Sequence, residues 1–161
     1  MEKCQTIDEL LGPRPSREVV ARAQPSRQLC KDNVARAFEK LRAKGVDPLA
    51  TTYIVDIDCS PRWFGNMSEG CSPCLTKQRA YQGGYWITTH GRRLGTETML
   101  RLQHMSPQRL QCPPDVPMNR FDAMVGNAMS VNVVEALVVM LSRSCPALFG
   151  GTKLHDRWSA A

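Results

Sequence analysis

The sequence contains few aromatic residues, which make up 6% of its 161 residues. A core formed by this chain must therefore depend mainly on Val, Leu and Met. The first ten residues are charged and include no apolar stretch of the kind that directs secretion. The seven cysteines are an odd number, which in a chain without a secretory signal indicates reduced thiols. We therefore expect an intracellular protein, in the nucleus of a eukaryote or the cytoplasm of a bacterium.

The composition is that of an ordinary globular protein. Hydrophobic residues make up 42% of the chain and charged residues 22%, which excludes a wholly disordered chain. The length corresponds to one domain, or to a fragment of a larger one. Lys and Arg number 21 against 15 acidic residues, which gives a net charge of +6 and a pI of about 9.1. This excess favours an anionic partner, and nucleic acid is the first candidate.

The first third of the chain contains one clear helical pattern. Val34, Phe38 and Leu41 recur on one face of a helix, and Lys and Arg occupy the other. Gly45 follows at a position that is typical of a helix end. A basic face of this kind is more often simply solvated than a binding surface.

The middle of the chain predicts short strands around a long loop. Alternation in residues 52–58 predicts a half-buried strand, and residues 85–89 predict a second strand. Residues 59–84 form the least regular stretch, and loops of that length are often functional. A second helix is predicted to start at Arg92. These elements together predict an α+β fold.

Residues 124–141, MVGNAMSVNVVEALVVML, predict an apolar helix that is too short and too polar at its ends to span a bilayer. Gly126 permits a close approach by a neighbouring group, and Asn127 can cap the helix. A helix N-terminus also attracts an anionic group. The spacing alone leaves both a structural cap and a ligand site open.

Three segments in order resemble the C-terminal part of the DNA (cytosine-5)-methyltransferases. They are SPCLTKQRAYQGGYW, RRLGTETMLRLQHM and FDAMVGNAMSVNVVEAL. Each is weak alone, but their order and gaps are similar to those of the family. The matching positions are Ser72 to Thr76, Gly83-Gly84, Arg92-Arg93-Leu94, Arg101-Leu102-Gln103 and Gly126-Asn127-Ala128. The resemblance covers residues 71–141 well and residues 29–57 partly.

The resemblance implies a small irregular recognition lobe followed by helices that normally pack on a Rossmann-like methyltransferase sheet. It divides the chain into a connecting segment (1–28), a partial target-recognition lobe (29–90), C-terminal motif helices (91–145) and a tail (146–161). In the family the Gly-Asn turn lies beside S-adenosylmethionine. The residues implied at that cofactor are Gly126, Asn127 and Ala128.

The recognition lobe of the family binds DNA, so DNA is the implied partner. The two segments expected to reach the DNA are residues 61–70 and 75–83. The implied DNA-binding residues are Arg62, Asn66, Thr76, Lys77, Arg79 and Tyr81. Arg62, Lys77 and Arg79 suit phosphate contacts, which position a protein without specifying sequence.

Several segments that the family chemistry requires are missing from this sequence. Residues before Cys71 hold no glycine-rich cofactor loop and no Glu-Asn-Val, and no Pro-Cys loop stands at the catalytic position. Pro73-Cys74 lies in the recognition segment, so we expect no catalytic residue here. Cys71-x-x-Cys74 has zinc-ligand spacing but lacks a second pair, so we expect no metal site.

The chain is therefore expected to be a C-terminal fragment of such a methyltransferase, inactive alone and not binding S-adenosylmethionine alone. Two alternatives are a non-catalytic DNA-binding or regulatory module, and the partner half of a split methyltransferase whose N-terminal catalytic part is a separate chain. No membrane association is expected. Without a cofactor sheet to cover it, the last helix is expected to expose an apolar patch. That patch comprises Val131, Val134, Leu137, Val138 and Leu141.

Overall fold

The computed structural model of the chain describes residues 6–151 and residue 154. The α-helices of this part are α1 (Ile7–Leu11), α2 (Arg17–Arg22), α3 (Gln28–Ala43), α4 (Lys77–Gln82), α5 (Thr96–Leu102), α6 (Met118–Asn127) and α7 (Val131–Ser144). The strands are β1 (Tyr53–Asp56), β2 (Met67–Glu69), β3 (Tyr85–Ile87) and β4 (Arg92–Arg93), and two 3-10 helices cover Pro61–Trp63 and Pro146–Phe149. This mixture of helices with an antiparallel sheet confirms the predicted α+β class.

The four strands form one sheet in the order β2-β1-β3-β4, with every neighbouring pair antiparallel. Successive side chains of β1 point to opposite faces, and helices cover both. Val55 packs with residues of α3, whereas Ile54 packs with residues of α1, α4, α5 and α6. All four residues of β1 are therefore buried. The prediction of a half-buried strand was wrong because the second helical layer comes from parts of the chain distant from β1.

Helix α3 forms as the apolar spacing predicted. Its residues Val34, Ala37 and Leu41 are buried, and Phe38 is half-buried. Gly45 adopts a left-handed φ of 75°, and its N–H donates to the Arg42 carbonyl. The predicted helix end is thus confirmed, because a left-handed residue after the last turn lets a backbone N–H reach a free carbonyl.

The stretch from 59 to 84 is more regular than predicted, since it contains a 3-10 helix, β2 and α4. Helix α4 begins where the Thr76 hydroxyl accepts the Arg79 N–H, and it ends at Gly83, whose φ is 61°. Ala80 is its one buried residue. A six-residue helix with one buried position produces no apolar period, so the sequence pattern could not indicate it.

The segment that begins at Arg92 was predicted to start a helix, and this was wrong. Arg92 and Arg93 pair with Ile87 and Trp86 across a turn that contains Gly91 at a φ of 60°. Helix α5 starts four residues later, at Thr96. Arginine and leucine are good helix formers, but strand pairing in the tertiary structure overrides this local preference.

Gly126 and Asn127 form the last turn of α6 rather than the start of α7, so the predicted Asn127 cap is wrong. Helix α7 has Ser130 as its N-cap residue, and the Val131 N–H donates to the carbonyl of Gln103. Apolar Phe121 and Val125 are four residues apart and extend the helical pattern upstream of Gly126. The chain therefore forms two helices where one was expected.

Candidate nucleic-acid interface

Helices α4 and α6 pack closely, and a missing side chain makes the contact possible. A Cβ added to Gly126 would lie 2.5 Å from the Ala80 Cβ and 2.6 Å from the Thr76 carbonyl oxygen. The close approach predicted at Gly126 is present, and the neighbouring group is α4. At the other end of the pair, the Arg120 guanidinium lies 5.8 Å from the centre of the Tyr81 ring. The start of α4 therefore lies beside the end of α6.

The outer face of this helix pair, which we call the α4–α6 face, brings distant residues together. Lys77 and Tyr81 contribute from α4, and Tyr81 is 38% exposed. Arg120, Met124 and Asn127 contribute from α6, where they recur at helical spacing and are exposed. Two residues implied at DNA and one implied at the cofactor thus lie on one exposed face, although the sequence separates them by about fifty positions.

Electrostatically, the α4–α6 face is positive. Helix α4 contains no acidic residue, and the one acid of α6, Asp122, accepts a hydrogen bond from the Thr96 hydroxyl. Burial raises the pKa of Asp122, and that hydrogen bond lowers the pKa by a smaller amount. Among the ion pairs of the described residues, none includes Lys77 or Arg120. Both cations remain available to an external anion.

Arg79 was implied as a DNA contact, and the structure shows its guanidinium partly buried and bound to groups at the end of β1. Its Nε donates to Asp56 Oδ2 at 2.9 Å, and its Nη1 donates to the Asp58 carbonyl at 2.9 Å. Burial lowers the pKa of Arg79, but the hydrogen bond to Asp56 and the charges of Asp56 and Asp58 raise it above its usual value overall. The side chain, 28% exposed, thus joins α4 to the end of β1.

Thr76 is exposed, and two of its groups form hydrogen bonds within the fold. Its hydroxyl caps α4, and its N–H donates to the Tyr85 hydroxyl at 3.1 Å. That hydroxyl in turn donates to the Cys74 carbonyl at 2.9 Å. Burial raises the pKa of Tyr85. The buried phenol thereby fixes the backbone that leads into the α4–α6 face.

Arg62 and Asn66 lie on the connection between β1 and β2, and both are exposed. The Asn66 carbonyl accepts the Asp56 N–H at 3.0 Å. Because Arg79 also binds Asp56, this connection and α4 meet at the same end of β1. Lys40 of α3 lies beside it, with its ammonium 4.9 Å from the centre of the Phe64 ring. The implied DNA residues therefore gather at one end of the sheet.

All three segments of the resemblance meet at an open cleft of about 340 Å³. Its lining residues are Ser72, Pro73, Cys74, Leu75, Leu102, Gln103, Ala128 and Ser130. The side-chain amide of Gln103 is buried and donates to the Val125 carbonyl, which ties the cleft floor to α6. Gly126, Asn127 and Ala128 do not share one surface. Gly126 faces α4, Asn127 is exposed, and Ala128 lines the cleft.

The cysteines in this region are Cys71 and Cys74, and both are exposed. Within the described residues, no group of three or more His, Cys, Asp and Glu side chains is arranged to hold a metal ion. The Cys74 thiol donates weakly to the Leu75 carbonyl at 3.7 Å.

Helix α7 exposes much of its apolar surface. Val131, Leu137 and Leu141 are exposed, Val134 and Val138 are half-buried, and Val139 and Ser142 are the buried positions. The expected patch is therefore exposed at three positions and partly covered at two. By length and composition, the stretch Met118–Ser144 is long and apolar enough to cross a membrane. Of the apolar 18-residue segment within it, 17% is buried. The chain breaks this stretch between Asn127 and Val131.

Sequence reasoning missed Arg120. Its signal was present, because Arg120 lies on the polar side of the helix opposite Phe121 and Val125. The long apolar run downstream places the predicted helix start at Asn127, which excludes Arg120 from the helix.

No family model, curated protein sequence or solved structure matches this chain.

Proposed function

We propose that this chain is the C-terminal, DNA-recognising part of an S-adenosylmethionine-dependent DNA (cytosine-5)-methyltransferase. The observation that carries the proposal is the packing of Gly126 against Thr76 and Ala80. These residues belong to the first and last segments of the resemblance, and a functional unit requires such segments to meet in space. The cleft between Cys74 and Ala128 extends the same contact.

Within this proposal, the α4–α6 face and the connection that holds Arg62 and Asn66 bind DNA. Their exposed cations suit phosphates, whose contacts supply most of the affinity and set the register on the duplex. Arg79 serves by positioning α4 against Asp56, and not by contact with DNA. Residues 29–90 form the recognition lobe, and residues 91–145 return the chain to the cofactor-binding part.

S-adenosylmethionine is the implied cofactor, and the residues present fit one wall of its site. The cleft offers the uncharged polar groups of Ser72, Gln103 and Ser130, and Asn127, the last residue of α6, directly precedes the lining residue Ala128. The amide of Asn127 would hold the amino-acid end of the cofactor, and the backbone at Ala128 would line it. When bound, S-adenosylmethionine supplies the methyl group. The remaining walls come from the N-terminal catalytic part, against which the exposed side of α7 packs.

A non-catalytic DNA-binding module is the second candidate. This chain supplies every residue of the α4–α6 face but only one wall of the cofactor site. A chain that has a full DNA-binding face and a partial cofactor site is what a non-catalytic module would require. A split methyltransferase is favoured by the exposed apolar side of α7. Methyl transfer that requires mixing with a separate N-terminal chain distinguishes the split enzyme from the module.

The first test is salt-dependent binding of the whole chain to a labelled DNA duplex, measured by fluorescence anisotropy. Lys77→Gln is expected to weaken binding and to make the negative slope of log K against log salt shallower by about 0.9. Arg22→Gln is the matched control, because Arg22 is exposed on α2, beside Gly91 at the opposite end of the sheet. If the wild type and the Lys77 variant had equal salt slopes, the result would show that Lys77 of α4 does not contact a phosphate. No measurable binding by the wild type would contradict the proposal.

A further inference from the structure

Arg120 and Tyr81 form an exposed pair that joins α6 to α4. The guanidinium lies 5.8 Å from the ring centre, within the range of a cation–π contact. Tyr81 is 38% exposed, and Arg120 is exposed as well. The ring restricts the motion of a long side chain without neutralising its charge. A cation held in this way loses less conformational entropy when it binds an anion.

The surroundings of this pair are suited to an anion. Lys77 lies one helical turn before Tyr81 on the same side of α4. Asp122 is the acidic residue of α6, and its carboxylate accepts a hydrogen bond from the Thr96 hydroxyl. Burial raises the pKa of Asp122. No carboxylate of the described residues forms an ion pair with Arg120. Two cations and a partly exposed aromatic ring therefore stand together without a compensating charge.

We propose that Arg120, held over the Tyr81 ring, binds a DNA phosphate, so that the interface extends from α4 onto α6. This inference rests on the proposed DNA-binding function. Arginine suits the role because its planar guanidinium donates two parallel hydrogen bonds to phosphate oxygens. Arg120, near one end of α6, then contacts DNA, and Ala128, which follows the other end, lines the cofactor cleft. Arg120 and Ala128 are eight residues apart, so the two contacts are separated by about 12 Å along the helix axis.

The experiment measures duplex binding by anisotropy over a series of salt concentrations. Arg120→Gln is expected to weaken binding roughly tenfold at low salt, as for one lost charge-assisted hydrogen bond, and to make the negative salt slope shallower by about 0.9. Tyr81→Leu is expected to weaken binding less, because the guanidinium is kept but no longer held. The double variant is expected to bind like Arg120→Gln alone, because the ring acts through the guanidinium. Arg22→Gln is the control, and circular dichroism verifies that each variant is folded.

The results separate this inference from the function on which it rests. If Lys77→Gln had a shallower salt slope than the wild type and Arg120→Gln had the wild-type slope, the role of Arg120 would be overturned. The proposed DNA-binding function would be unaffected. Additive losses in the double variant would overturn the claim that Tyr81 acts through Arg120. Absence of wild-type binding would overturn both proposals.

Discussion

Gly126 and Ala80 bring α6 and α4 into direct contact, since a Cβ at residue 126 would lie 2.5 Å from the Ala80 Cβ. In most helices, replacing glycine with alanine stabilises the fold by roughly 0.5–1 kcal/mol. At residue 126 the opposite is expected. The added methyl group meets the Thr76 backbone as well as a side chain, and the backbone cannot give way easily.

We therefore predict that Gly126→Ala lowers the free energy of unfolding by about 1–3 kcal/mol, as for an overpacked core. Urea denaturation followed by circular dichroism measures this change. Gly65→Ala is the matched control, because nothing lies within 4 Å of a Cβ at that position. A Gly126 variant as stable as the wild type would show that the two helices do not pack as described.

The pair formed by Arg79 with Asp56 yields a second prediction. Arg79→Gln leaves the largely buried Asp56 carboxylate without its cation, and a lost hydrogen bond to a charged group costs roughly 1.5–3 kcal/mol. Arg101→Gln breaks the exposed pair with Glu97 and is expected to cost under about 1 kcal/mol. Both changes remove one positive charge. Equal costs in urea denaturation would contradict the structural role of Arg79.

A third prediction concerns His90, which is buried and whose ring contacts the Thr89 hydroxyl and the Gly12 carbonyl. Burial lowers its pKa, the hydrogen bond to the Gly12 carbonyl opposes this, and the charges of Arg92 and Arg14 lower the pKa further, so that it lies below its usual value. Because the folded pKa lies below the usual 6.5, the unfolded chain takes up this proton first as the pH falls. The free energy of unfolding should decline as the pH falls through 6.5.

Urea denaturation at several values between about pH 5 and pH 8 measures that decline, in a range above the usual carboxylate pKa values. His90→Gln is expected to reduce the pH dependence. His104→Asn should retain it, since His104 is exposed and asparagine tolerates its left-handed backbone. A His90 variant with the full wild-type pH dependence would assign the effect to another group.

The exposed side of α7 yields the fourth prediction. Leu137 is 54% exposed, and burial of a leucine contributes roughly 1.5–3 kcal/mol, so the isolated chain is expected to self-associate through this surface. Leu137→Asp should lower the apparent mass in light scattering with little effect on unfolding. Val19→Asp, at a site on α2 that is 60% exposed, should leave the mass unchanged. A wild-type monomer at all concentrations would contradict the claim that α7 needs a partner.

The sequence was informative where one helix buries a regular stripe. Helix α3 and its end at Gly45 followed from spacing, because four buried turns repeat one pattern. The α+β class followed from the helical patterns and the short strands near residues 53 and 85. Helix α4 could not be predicted from apolar spacing, because it is held by the Thr76 cap directly before it and by Asp56, a residue distant in sequence that binds Arg79.

The candidate site was predictable in its residue types and less so in its arrangement. Lys77, Tyr81 and Asn127 were identified from the resemblance, and their common exposed face emerges from the packing at Gly126. Arg79 was expected outside, but two buried aspartates hold its guanidinium. Pairing of that kind depends on tertiary contacts between β1 and α4, which no local pattern encodes.

The most direct test of the central claim replaces the corresponding C-terminal part of a complete DNA (cytosine-5)-methyltransferase with residues 29–145 of this chain. Transfer of a radiolabelled methyl group from S-adenosylmethionine to cytosine is measured for the chimera, for the truncated parent and for this chain alone. We predict label with the chimera and none with the other two. A folded chimera that binds S-adenosylmethionine but transfers no label, or label with this chain alone, would contradict the account.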